Sequence, residues 1–130
     1  LATTADDYLR FCQMLLNGGT LDGKRYLSRT TVALMTSDHL GKNIKNFVAG
    51  TEAGRDGYGF GLGVAVRTEP GVAATNGSVG DYTWNGANGT IFWADPKEQL
   101  VVVVMSVGPG EIRKYYREQL AALVYGAMVR

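Results

Sequence analysis

The sequence predicts an α+β fold in which an antiparallel β-meander of about four strands is flanked by helices. Three observations predict it. Apolar residues recur at helical spacing near both ends of the 130-residue chain. Between them lie runs rich in β-branched and aromatic residues, bounded by Gly, Pro, Asn and Asp turn signals. The composition, 45% apolar and 19% charged, is that of an ordinary globular chain, and the length fits one domain or less.

The first helix starts at Thr3 or Thr4, candidate N-caps with Asp6 or Asp7 three residues on. Tyr8, Phe11 and Leu15 recur at i, i+3 and i+7, flanked by Leu9, Cys12 and Leu16, and Asn17-Gly18-Gly19 ends the stripe as a left-handed cap does. Cys12 falls inside that stripe and reads as a packing residue. Leu21-Asp22-Gly23-Lys24 is a tight turn and Tyr26-Leu27 a short extended piece. Ser28 caps a second helix carrying Val32, Leu34 and Met35. From Asp38 to Asp56 the chain is polar and without period, which predicts a long loop. His39, with no carboxylate cluster or second histidine, reads as a surface or capping residue.

Tyr58 to Val66 reads as one strand, large residues on one face and glycines and alanine on the other, so another element comes close to the small face. After a loop over 67–79, Asp81–Asn85 and Thr90–Ala94 are strands joined through Gly86-Ala87-Asn88-Gly89. Asp95-Pro96-Lys97-Glu98 turns the chain into Leu100–Met105, an apolar β-branched run of the kind buried on both faces. The last helix opens near Glu111, with Ile112, Tyr116, Leu120, Leu123, Val124 and Ala127 as its buried stripe and Arg113, Lys114 and Arg117 on its solvated face. In a four-strand meander Leu100–Val107 is an edge, yet it is long and uncharged, where edges are normally short or charged. It therefore calls for another strand, from further sequence or from a second copy of the chain.

Net charge of +1 argues against nucleic acid or a membrane surface as a partner. No apolar run reaches membrane-spanning length and no signal peptide opens the chain. One cysteine and one histidine give neither an internal disulfide nor metal-ligand spacing, so neither metal nor cofactor is expected. The glycines of 59–63 do not form a phosphate-binding loop. Asn76-Gly77-Ser78 and Asn88-Gly89-Thr90 match the glycosylation sequon but read as Asn-Gly turns. The chain opens on Leu1, not Met, which suggests a piece of something longer. The compartment stays open, the bacterial cytoplasm or periplasm being the expected ones.

The candidate site is Gly80–Thr90, which holds three glycines, two asparagines and two large aromatics. Tyr82 and Trp84 share one face of a strand by alternation, and Gly86 permits close approach of a substrate. A strand end of this kind offers an aromatic wall and bare backbone N–H groups to a carbonyl. No nucleophile accompanies it. Ser28, Ser37, Ser78 and Ser106 are the only serines, none has a lysine three residues on, and none sits in G-x-S-x-G.

The ordered set Gly80-Asp81-Tyr82-x-Trp84-x-Gly86-x-x-Gly89-Thr90-x-Phe92-x-x-Asp95-Pro96 resembles the third-motif region of the β-lactamase-related serine hydrolases: class C β-lactamase-like proteins, family VIII-type esterases and penicillin-binding proteins. Thr4–Gly19 and Tyr58–Gly63 resemble, in the same order, a helix and a strand of that superfamily. The resemblance implies that residues 1–130 are the C-terminal part of a β-lactamase/transpeptidase-like α/β domain. The S-x-x-K nucleophile and second motif would then lie upstream, and the chain alone would be inactive. Trp84-Asn85-Gly86 takes the place of K-T-G. Tyr82-Thr83-Trp84-Asn85, being Y-x-x-N, does not supply the absent Y-x-N. The resemblance further implies a small ester or amide substrate, with Tyr82, Trp84, Asn85 and Gly86 binding it and the Ala87 backbone N–H forming half of an oxyanion hole. Tryptophan in place of lysine favours the esterase-like branch. The alternative is a non-catalytic binding or sensor domain that keeps the fold.

Overall fold

The first helix begins where the Thr4 hydroxyl accepts the Asp7 backbone N–H at 3.2 Å, satisfying one of the donors that a helix start leaves open. The computed structural model describes residues 2–41, 44 and 55–129. Helix α1 (Ala5–Leu16) ends in a Schellman motif: the Gly18 N–H reaches the Leu15 carbonyl at 2.9 Å and the Gly19 N–H the Met14 carbonyl at 2.8 Å. A hairpin follows, β1 (Thr20–Leu21) and β2 (Lys24–Arg25), across an Asp22-Gly23 turn in which both residues have positive φ. Helix α2 (Arg29–Met35) is capped by Ser28, whose Oγ accepts the Thr31 N–H at 3.0 Å. His39 binds back to this helix through Nε2 and the Leu34 carbonyl, 2.7 Å apart. Of the loop expected over 38–56, residues 42–43 and 45–54 lie outside the described residues.

Five strands then form an antiparallel meander: β3 (Tyr58–Phe60), β4 (Ala65–Arg67), β5 (Tyr82–Asn85), β6 (Ile91–Asp95) and β7 (Leu100–Val104), in that order across the sheet. The fifth strand comes from the run expected to be a single strand over 58–66. That run folds back on itself, pairing Tyr58 with Arg67 and Phe60 with Ala65. Gly63, at φ +89°, makes the reversal. The small face is indeed closely approached. A Cβ on Gly59 would strike the Asp38 carboxylate, and one on Gly61 the Met35 carbonyl oxygen at the end of α2.

The two faces of the sheet differ in chemistry. Cross-strand pairs Val66–Tyr82, Tyr82–Ala94, Ala94–Val101 and Phe92–Val103 place an apolar layer on one face, and α1 packs on it through Cys12, Met14 and Leu15 to make the core. The other face carries Arg67, Thr83, Asn85, Trp93 and Asp95. Helix α3 (Gly110–Gly126) reaches this polar face with Arg117, Ala121 and Tyr125.

The orientation of α3 corrects the expected stripe. Arg117 is buried, whereas Ile112, Tyr116 and Leu123 are exposed. The sheet face beneath the helix is polar, so the helix side that meets it is the one with hydrogen-bond donors. Leu100–Val104 also departs from expectation. The strand is half-buried along its whole length, not buried on both faces, because it closes the described sheet on one side and leaves an open edge. No helix among the described residues is long and apolar enough to cross a membrane.

Candidate active site

Strand β5 carries the site, and the alternation of its side chains sorts the expected residues. Tyr82 and Trp84 lie on the α1 face, but at different depths. Tyr82 is 1% exposed, packed in the core beside Cys12. Burial pushes its phenol pKa up, and its hydroxyl finds no hydrogen-bond partner among the described residues. Trp84, one side-chain repeat further along, is 38% exposed. Its ring meets Phe60 edge to face, with centroids 5.1 Å apart.

Beside Trp84 the sheet opens into a cleft of about 390 Å³. Trp84, Asn85 and Gly86 line it from β5, Ile91 and Phe92 from β6, and Val103 with Met105 from β7 and its end. Thr3 and Tyr8 close it from the start of α1. None of the described residues lining the cleft is charged. Tyr82 does not line it, whereas Trp84 and Gly86 stand together at its wall.

Asn85 belongs by alternation to the other face, and its Oδ1 accepts a hydrogen bond from Arg55 Nη2 at 2.7 Å. Arg55 is buried at the end of the strand, its guanidinium 5.7 Å from the ring centres of both Tyr58 and Trp84. Cation–π contacts of this kind contribute roughly 0.5–2 kcal/mol each. The asparagine oxygen is thus engaged by the arginine. Behind it, between the sheet and α3, lies a polar cavity of about 50 Å³ lined by Asp81, Thr83, Trp93 and Arg117 among others. Such a space is large enough for water.

Gly86 ends the strand, and the chain turns through Ala87 and Asn88, both exposed, to Gly89. A Cβ at Gly86 would collide with Thr90 Oγ1, so a larger residue there would force the Thr90 side chain to shift. The turn is held from several sides: Ser106 Oγ donates to the Gly89 carbonyl at 3.0 Å, and the Gly108 N–H to the Asn88 carbonyl at 3.0 Å. Ser106 therefore serves the turn.

Asp81, which leads into β5, is paired with Arg67 Nε at 2.7 Å, and both are buried. Arg67 also donates to the Tyr58 hydroxyl at 2.8 Å and to the Asn76 carbonyl at 3.0 Å. Desolvation outweighs the guanidinium here and pushes the Asp81 carboxyl up to about 6. Among the described residues no group of three or more His, Cys, Asp or Glu side chains could hold a metal ion.

Sequence reasoning missed Arg55 and Arg117. The first sits in an aperiodic stretch, where only the neighbouring aromatics hint at a cation's place. The second recurs with Ala121 and Tyr125 at four-residue steps, a stripe that no hydrophobicity pattern marks.

A protein-family model described as Beta-lactamase matches residues 1–125 of the chain. Two proteins of Mycobacterium tuberculosis, "Uncharacterized protein MT1414" of strain CDC 1551 / Oshkosh and "Protein Rv1367c" of strain ATCC 25618 / H37Rv, are each 41% identical over 108 residues, which is 81% of this chain. The chain spans 27% of the length of these curated relatives. Among solved structures, "EstCE1, a hydrolase with promiscuous acyltransferase activity" aligns with a TM-score of 0.74 and 31% identity, over 94% of this chain and 29% of its own. Unliganded simvastatin synthase (LovD) from Aspergillus terreus aligns with a TM-score of 0.70 over 92% of this chain and 33% of its own. At 18% identity the latter likeness is one of fold.

Proposed function

The chain belongs to the beta-lactamase family, and on that premise we propose that it forms one wall of the active site of a serine hydrolase acting on neutral carboxylic esters. The observation that carries the reading is Trp84. By the resemblance it takes the K-T-G lysine position, and it stands half-exposed beside Gly86 in a cleft whose described lining holds no charge. A lysine there would attract a substrate carboxylate, whereas an indole ring packs against an acyl or alcohol group. The likeness to EstCE1, described as a hydrolase, supports acyl chemistry.

The nucleophile is the serine of an S-x-x-K segment outside these residues, as the 27% span of the relatives allows. Its hydroxyl attacks the ester carbonyl carbon and passes its proton to the base of that segment. The carbonyl oxygen, now an oxyanion, lies between the Ala87 N–H and the serine's own N–H. The C–O bond to the alcohol breaks, the alcohol leaves with the proton, and water then attacks the acyl-enzyme to release the acid. The cleft at Gly86 is where that segment and the substrate meet, and the open edge of β7 takes a strand of the same protein.

The test is an assay of the intact protein on short-chain aryl esters and on a penicillin. Ester turnover that exceeds penicillin turnover, lowered about tenfold or more in kcat/KM by Trp84→Ala, is expected. If Trp84→Ala and Asn85→Ala both leave rate and substrate range unchanged, the site assignment is wrong. An intact protein lacking S-x-x-K would be a binding domain.

A further inference from the structure

Helix α3 reaches the candidate site from behind. Arg117, 8% exposed on its inner side, donates from Nη2 to the Gly86 carbonyl at 3.1 Å and, at a longer 3.4 Å, to the Thr90 carbonyl. The Gly86 carbonyl and the Ala87 N–H are the two ends of one peptide group. That group is planar, and no peptide bond among the described residues is cis, so the two ends point in opposite directions. Whatever holds the carbonyl therefore aims the N–H.

We propose that Arg117 is a positioning residue, which fixes and polarises the Gly86–Ala87 peptide so that its N–H serves as an oxyanion donor. This rests on the reading of Ala87 given above. Two effects follow from the contact. The first is geometric. The Gly89 N–H also reaches the Gly86 carbonyl, at 3.2 Å, and the Gly86 N–H reaches the Thr90 carbonyl at 2.8 Å. The guanidinium thus spans both carbonyls at the base of a turn already closed on itself. Donors held in place before the reaction cost no reorganisation as the oxyanion forms. The second effect is electronic. A cation on a peptide oxygen draws electron density through the amide, and hydrogen bonds joined in this way strengthen one another.

The experiment uses the intact protein with its S-x-x-K segment and compares Arg117→Gln and Arg117→Lys. The probes are an aryl ester and the matching thionoester, whose C=S sulfur accepts hydrogen bonds poorly and so draws little on an oxyanion donor. With Arg117→Gln, kcat on the oxygen ester is expected to fall about ten- to a hundredfold, with KM little changed. The thionoester rate changes by less than about threefold, and Arg117→Lys recovers part of the loss. The Ala87 amide proton resonance of the free enzyme also moves upfield in the Gln variant. Equal losses on both esters, with the Ala87 resonance unmoved, would mark a merely structural contact and overturn the proposal. If the unmodified protein hydrolyses neither ester, the active-site reading fails, while the Ala87 resonance still decides what Arg117 does. Should Arg117→Gln unfold, Arg117→Lys carries the comparison: its ammonium replaces the Nη2 that reaches both carbonyls, a larger loss on the oxygen ester than on the thionoester is expected, and equal losses overturn the proposal.

Discussion

Phe60 and Trp84 meet edge to face, with ring centroids 5.1 Å apart and planes at 80°. The contact joins the β3–β4 hairpin to the exposed wall of the candidate site, so the hairpin sets how firmly the indole stands. Phe60→Ala is expected to lower stability by about 1–2 kcal/mol, of which roughly 0.5–1.5 is the aromatic pair. Trp84 becomes more mobile as a result. Urea denaturation, with Trp84 emission followed in a Trp93→Phe background, checks both effects.

The buried Asp81 makes stability depend on pH in a stated direction. Its carboxyl titrates near 6 in the folded protein against a usual 3.8, because burial disfavours the charged form. The folded state therefore holds the proton more tightly than the unfolded chain. The stabilisation from this proton is fully present below about pH 4 and is lost as pH rises through about 6. Two units correspond to about 3 kcal/mol at most. Asp81→Asn should remove this slope. The same variant lowers stability above about pH 6, where Arg67 loses the carboxylate opposite its buried charge, and much less near pH 4, where Asp81 is already neutral. Unfolding free energies at pH 4 to 7, taken as the difference between the two proteins, isolate the proton-linked part.

Cys12 is fully buried, and desolvation pushes its thiol up to about 12. In the native protein it is expected to resist Ellman's reagent at pH 8, since thiolate and access are both lacking. Addition of denaturant should release one reacting thiol per chain, timed by unfolding.

Asp95 is fully buried and accepts hydrogen bonds from the Ser78 and Lys97 N–H groups at 3.0 and 3.1 Å and from the Tyr125 hydroxyl at 2.9 Å. The last of these ties α3 to the sheet. Tyr125→Phe removes a hydrogen bond to a charged acceptor and should cost about 1.5–3 kcal/mol, measured by chemical denaturation.

The parts of the fold legible in the sequence are those decided by near neighbours. Thr4, Ser28 and Asn17-Gly18-Gly19 cap helices where their chemistry places caps, and the strand over Tyr82–Asn85 ends at Gly86 as its turn residues require. The parts missed are those decided across the fold. Tyr58–Val66 alternates like one strand, and only the approach of α2 at Gly61 together with the reversal at Gly63 makes it two. The periodicity of helix α3 predicts an apolar inner side because water is the usual neighbour of charge, yet here the neighbour is a polar sheet face. The candidate site divides in the same way. Alternation puts Tyr82 and Trp84 on one face, but only the docking of α1 buries the first and leaves the second at the cleft.

The open edge of β7 has a consequence for handling the protein. Leu100–Val104 is an uncharged, β-branched run with a row of backbone groups facing outward at the border of the described sheet. Such a segment templates intermolecular pairing whenever it is bare, above all in partly unfolded chains. Heating should therefore end in aggregates and not in a reversible transition, with an apparent Tm that rises with scan rate. Val102→Lys is expected to act as a gatekeeper and restore reversibility, showing that the loss begins at this strand.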